Sequence, residues 1–320
     1  MKYYLGVDLG GTNIVAGVVD ENYNILAKHS VPTAPSRGFE KVNESIATTA
    51  FEAAKKANVD MAQIESIGVG SPGCVDRKTN LLVFSGNLNW SNVPFQAELE
   101  KHFDIPVYIE NDGNCAALGE VLAGAARDFE SACMITLGTG VGGGIIIDKK
   151  IFSGSDRLGA EVGHMVLIHD GERCTCGLNG CFEAYASATA LIRQINQAIK
   201  NHPDSLLNTL CGGDLSKVEA KTAFDAMKQG DEVAEKVIDK YISYVATGVG
   251  SMMTIFRPEV FLVGGGVSNA GDKLIKPLIE KSSRLTFTRD QAENPPIKLA
   301  QLGNDAGIIG AAMLGISSLK

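Results

Sequence analysis

Four side chains with metal-binding chemistry fall within eighteen residues: His164, Cys174, Cys176 and Cys181, spaced H-x9-C-x-C-x4-C. One imidazole and three thiolates make a soft, tetrahedral donor set, which favours Zn²⁺. Gly177 and Gly180 supply turns that let the chain fold around an ion. With four protein ligands the site is closed, so the zinc is expected to be structural rather than catalytic. The alternatives are three buried free cysteines beside a surface histidine, or Cys211 in place of His164 as fourth ligand.

Two glycine-rich runs suit phosphate groups, because backbone N–H donors without Cβ atoms can turn toward an anion. The first is Asp8-Leu9-Gly10-Gly11-Thr12-Asn13, with Asp8 at a strand end where it can hold Mg²⁺ directly or through water. The second is Gly138-Thr139-Gly140-Val141-Gly142-Gly143-Gly144. Gly264-Gly265-Gly266-Val267 is a third turn, flat enough for an adenosine to approach the backbone. For each run the alternative is a tight turn with no ligand. Carboxylates stand at Asp112, Glu161 and Glu183. Asn111-Asp112 sits where a strand meets a helix, the usual position of ligand-binding residues in an open α/β sheet. Carboxylates and amides of this kind accept and donate in pairs to hydroxyl groups such as those of a sugar. Alone, Asp112 also reads as a helix cap and Glu183 as a solvated first-turn residue.

Alternating strands and helices must position these groups. Short strands are expected at 3–8, 14–20, 25–31, 64–70 and 107–110, with an amphipathic helix over 39–57 and another after Asp112. A second series follows: strands at 132–137, 143–148 and 260–263, helices at 183–200 and 231–256, and a last helix over about 306–315. Leu5–Thr12 and Ile135–Gly142 repeat one strand–glycine turn–strand plan, so two related halves are expected. The boundary is set at 117/118: an N-terminal domain of 1–117 with a C-terminal helix of about 303–320, and a second domain of 118–302.

Other classes are excluded by what is absent. No Gly-Lys-Ser/Thr occurs, so there is no Walker-type site. Gly138-x-Gly140-x-x-Gly143 leads into Ile145-Ile146-Ile147, a β-branched run, where a dinucleotide fingerprint needs a helix. Gly68-x-Gly70-x-x-Gly73 contains Pro72. The net charge of −8 in 320 residues argues against nucleic acid as a partner. No signal-like segment or membrane-length apolar run is present, and seven cysteines, an odd number, fit a reducing cytoplasm better than a disulfide framework.

Asp8–Asn13, Gly70-Ser71-Pro72-Gly73, Glu110–Asn114, Gly138–Gly144, Glu161–His164, Cys174–Glu183 and Gly264–Val267 together resemble the ROK family of bacterial sugar kinases and related repressors. The likeness is strongest to its glucokinases of Gram-positive type. It implies an actin-like ATPase (ribonuclease H-like) fold, α/β, with two domains flanking a cleft, and a homodimer or homotetramer. It implies an ATP- and Mg²⁺-dependent kinase acting on glucose or a related hexose such as N-acetylmannosamine, fructose or allose. On this resemblance Asp112 is the catalytic base. Asn111, Glu161, His164 and Glu183 are sugar ligands, with Asn87 a further one. Gly10, Gly11, Thr12, Asn13, Gly138, Thr139 and Gly140 are phosphate loops, and Gly264–Val267 belongs to the adenosine site. Gly113 departs from the family, which more often has alanine there. The repressor relatives carry an added N-terminal helix-turn-helix, whereas here few residues precede the first strand.

Overall fold

The computed structural model describes residues 1–76 and 78–317. In chain order the elements are β1 (Tyr3–Leu9), β2 (Asn13–Asp20), β3 (Ile25–Pro32), α1 (Phe39–Lys56), β4 (Ile64–Ser71), β5 (Cys74–Val75), β6 (Leu82–Ser85), β7 (Trp90–Val93), α2 (Phe95–Glu100), β8 (Val107–Asn111) and α3 (Asp112–Ala123). Next come β9 (Ala132–Leu137), β10 (Val141–Ile147), β11 (Lys150–Ile151), α4 (Glu183–Ala186), α5 (Ala188–Asn201), α6 (Leu206–Leu210), α7 (Ala220–Lys228), α8 (Glu232–Phe256), β12 (Val260–Gly264), α9 (Asp272–Ser283), β13 (Ile297–Leu299), α10 (Asp305–Ala312) and α11 (Leu314–Ser317). They form two compact units. The first holds Met1–Ala132, Gly143–Ala160 and the return beginning at Ala300; the second holds Cys133–Gly142 and Glu161–Leu299. The boundary expected at 117/118 falls inside α3, which lies whole in the first unit. Residues 318–320 of the expected C-terminal helix lie outside the described residues.

The first unit is built on a sheet of order β3-β2-β1-β4-β8. The β1–β2 and β2–β3 pairs are antiparallel, while β1, β4 and β8 run parallel. Strands β1 and β4 are buried on both faces, which is why they read as near-continuous apolar runs. Helix α1 covers one face with Val42, Ile46, Ala50 and Ala53. On the other face Ile308, Ala312 and Met313 pack against Tyr4 and Val19. Gly6 and Gly68 make that close docking possible, because a Cβ on either would run into a carbonyl of α10. The carboxylate of Glu120, fully buried, fixes the return: it accepts N–H bonds from Ala125 at 2.7 Å, Gln301 at 2.8 Å and Leu302 at 2.7 Å. Three short strands, β5-β6-β7, form a separate antiparallel sheet.

In the second unit β9, β12 and β13 are neighbours in that order, with β12 and β13 parallel. The 25-residue α8 is capped by Asp231, whose side chain accepts the Ala234 N–H at 2.7 Å. It ends at Arg257, left-handed at φ 42°, one residue before Pro258. Its Gly248 faces the ring of Phe182 so closely that a Cβ would collide with it. Its Tyr241 hydroxyl donates to the Ala186 carbonyl at 2.6 Å. The long helix thus holds the Phe182–Ala186 segment from behind. Among the described residues no helix is long and apolar enough to cross a membrane.

Candidate active site

In the first unit the parallel strands bring the expected residues to one sheet edge. The register pairs Asp8 with Gly70, Gly70 with Glu110 and Ser71 with Asn111, so Asp8 and Asn111-Asp112 lie at the carboxyl ends of β1 and β8. Asn111, rather than Asp112, caps α3: its Oδ1 accepts from the Gly113 and Asn114 N–H groups at 2.8 and 3.2 Å. Its Nδ2 donates to the Gly73 carbonyl at 3.2 Å. Below it Glu110, buried, accepts from Asn114 Nδ2 at 3.0 Å. Asp112 is the first residue of the helix, and its own Oδ1 also accepts the Gly113 N–H at 2.8 Å.

Asp8 is pressed against the first turn of α10, where a Cβ on Gly307 would stand 3.3 Å from its Cγ. Burial there, and after it the charge of Asp112, push its carboxyl up to about 6. A buried carboxyl group raised further by the charge of a second is a ready seat for a divalent cation, which would relieve the repulsion. The first glycine turn beside them is braced by the buried Thr33. Its hydroxyl donates to the Gly10 carbonyl at 2.6 Å and its N–H to the Thr12 carbonyl at 2.8 Å. Asn87 is brought to the same turn, its Cβ 3.8 Å from where a Gly11 Cβ would stand. The start of α3 is fixed by β10: Gly113 leaves no room for a Cβ because the backbone of Gly143 abuts it. The departure from the family's alanine thus coincides with a backbone-to-backbone contact.

In the second unit the Gly138–Val141 turn is held from α4 and α5. The Ala188 N–H donates to the Gly138 carbonyl at 2.8 Å, the Thr189 hydroxyl to the Thr139 carbonyl at 2.8 Å, and the Val141 N–H to Glu183 Oε2 at 3.0 Å. The Gly264–Val267 turn lies against Leu137, one residue before that loop. Gly265, at φ 83°, has no space for a side chain there. The Glu161–His164 turn is closed by a His164 N–H bond to the Glu161 carbonyl at 3.0 Å, with Gly163 tight against the Val141 backbone.

The four expected metal ligands converge. One ligand atom from each of His164, Cys174, Cys176 and Cys181 lies within 4.8 Å of all the others. Cys174 Sγ is 3.7 Å from His164 Nδ1, and Cys176 Sγ 3.6 Å from Cys181 Sγ. A tetrahedral zinc with Zn–S of about 2.3 Å needs S···S edges of about 3.8 Å. The donor set and its spacing therefore fit zinc. Burial pushes Cys181 up to about 12 and raises Cys174. Cys176, the exposed one, is lowered: burial opposes this, but hydrogen bonds with the Leu178 N–H and the other two thiols prevail. Cys211 is not part of the cluster; its thiol donates to the Asn208 carbonyl at 3.2 Å.

Two glycine turns after parallel or hairpin strands, a raised aspartate beside a second aspartate, and a closed metal knuckle define a kinase of the actin-like ATPase fold, with two α/β units. The chain belongs to the ROK family, whose model matches residues 4–317. It is similar to a glucokinase of Thermotoga maritima, 39% identical over 316 residues that cover 97% of this chain and 96% of that one. A ROK family glucokinase of Streptomyces griseus, solved in complex with glucose and AMPPNP, superposes with a TM-score of 0.83 at 36% identity, covering 98% of each chain. A ROK hexokinase of Thermus thermophilus gives a TM-score of 0.83 at 34% identity over 99% of each chain.

Three residues of these sites carried no signal in the sequence. Thr33 and Glu120 act on partners distant in the chain, and Thr175, between two cysteines, donates its hydroxyl to Glu183 Oε1 at 3.0 Å.

Proposed function

We propose that this chain is an ATP-dependent glucokinase that moves the γ-phosphoryl group of ATP onto the 6-hydroxyl of glucose. The observation that carries the reading is the Asp8–Asp112 carboxyl pair at the carboxyl edge of the parallel strands, in a chain similar end to end to glucokinases. Asp112 is the general base. Its carboxylate takes the proton of the 6-hydroxyl as the new oxygen–phosphorus bond forms and the bond to the departing ADP oxygen breaks. Asp8 holds Mg²⁺, directly or through water; the ion, when bound, neutralises charge on the phosphates. N–H groups of Gly10–Asn13 and of Gly138, Thr139 and Gly140 hold the phosphates, and the Gly264–Val267 turn flanks the adenosine.

Asn87, Asn111, Glu161, His164 and Glu183 hold hexose hydroxyls. The zinc that fits His164, Cys174, Cys176 and Cys181 is structural. Through Nδ1 it would fix the His164 tautomer and leave Nε2 for a hydroxyl. The enzyme works in the cytoplasm as a homodimer or homotetramer. The odd number of cysteines, three of them gathered around the proposed zinc, supports a reducing compartment, and light scattering reads the assembly. A coupled assay with ATP across glucose, mannose, fructose, allose and N-acetylmannosamine tests the reading. Glucose should have the highest kcat/KM. A clearly higher value for N-acetylmannosamine would overturn the glucokinase assignment and leave a kinase of another hexose.

A further inference from the structure

Glu183 is held from several sides inside its own unit. Phe182 before it is fully buried against Gly248, and Oε2 accepts the Val141 N–H at 3.0 Å. Oε1 accepts the Thr175 hydroxyl at 3.0 Å; Cys174 Sγ stands 3.5 Å away and can donate only as a thiol, not as a zinc thiolate. A thiol is the weaker donor and stands further off, so the hydroxyl sets the rotation of the carboxylate. Thr175 is itself fixed. It sits in a tight knuckle closed by Cys174 N–H to the Leu178 carbonyl at 2.9 Å and Gly177 N–H to the Cys174 carbonyl at 3.1 Å. Arg173 and Asn179 bridge the base of that knuckle. A β-branched side chain on a fixed backbone has few rotamers, so its hydroxyl is aimed in advance.

We infer that Thr175 is a positioning residue: its hydroxyl aims the Glu183 carboxylate for hexose binding and takes no part in phosphoryl transfer. This rests on the reading that Glu183 holds hexose hydroxyls. The metal knuckle then does more than anchor the chain; it presents, between two of its ligands, the donor that orients a substrate group.

The test compares Thr175→Val, Thr175→Ser and Glu183→Gln in the full chain. Glucose affinity is read by calorimetry without nucleotide, zinc by elemental analysis, and kcat and KM by coupled assay. Thr175→Val should raise glucose Kd and KM by about three- to tenfold, the loss of one hydrogen bond to a charged group. Its zinc content should match that of the parent, and its kcat should stay within about twofold. Thr175→Ser, which keeps the hydroxyl, should restore most of the affinity. Unchanged glucose affinity in Thr175→Val, with weakened binding in Glu183→Gln, would overturn the inference alone. Unchanged affinity in Glu183→Gln would overturn the role of Glu183 and the inference with it. Equal losses in the valine and serine variants, or loss of zinc in Thr175→Val, would assign the effect to packing or to the cluster and overturn the positioning role.

Discussion

Asp8→Asn is expected to make the ligand-free protein more stable while destroying its activity. In the folded chain burial, and then the Asp112 charge, lift the Asp8 carboxyl from 3.8 to about 6. The folded state therefore holds this proton more tightly than the unfolded chain does. The contribution of Asp8 to stability is most favourable below pH 3.8 and is lost as pH rises to about 6. A rise of about 2 pH units, at about 1.36 kcal/mol each, leaves a penalty of about 3 kcal/mol above pH 6. Asparagine has nearly the same shape and no charge to desolvate. At about 2–4 °C per kcal/mol, the variant should melt about 6–12 °C above the parent at pH 7.5. Differential scanning calorimetry without Mg²⁺ or nucleotide reads the difference, which should narrow as pH falls below about 6 and vanish only below 3.8. Asp112→Asn should recover a smaller part, and the double variant less than the sum, because the two carboxyls act on each other. A variant that melts at or below the parent at pH 7.5, or a gap at pH 4.5 as large as that at pH 7.5, would refute the reasoning.

Protein purified without added metal should carry about one zinc per chain, the occupancy of a closed four-ligand site. Cys176→Ser should lower that content, the melting temperature and the glucose affinity together, since the cluster adjoins Glu183; zinc-free protein with full activity would contradict the assignment. Gly113→Ala should destabilise by about 1–3 kcal/mol, because the new Cβ meets the Gly143 backbone and not a movable side chain. An unchanged thermal midpoint would show that β10 yields at no cost.

What the sequence disclosed was local. The β1–β2 hairpin, α1, α8 and the metal cluster are each specified by spacing within one segment, and the structure follows them closely. The helix expected over 183–200 is instead two. Ser187, extended at ψ 163°, ends α4 and caps α5 by accepting the Ala190 N–H at 3.0 Å. The final helix likewise breaks at Met313. Strands β5–β7 went unread because segments of two to four residues, interleaved with Asn and Ser, leave no period to detect. Glu120 was invisible for another reason: two of its partners, Gln301 and Leu302, are 181 and 182 residues away. Gly113 stands out in the sequence only as a departure from the family's alanine, whereas the fold uses it for close backbone contact with Gly143.

Asp112, as the proposed base, takes the proton from the hexose hydroxyl during transfer. Asp112→Asn keeps the size of the side chain and cannot accept that proton. Steady-state turnover with saturating glucose and ATP, paired with glucose calorimetry on the same protein, tests it. Glucose binding should stay close to that of the parent, with kcat lower by about 10²–10⁴-fold. Near-normal kcat in Asp112→Asn would contradict it, leaving Asp112 a first-turn residue of α3 and moving the search for the base to Glu161 or Glu183.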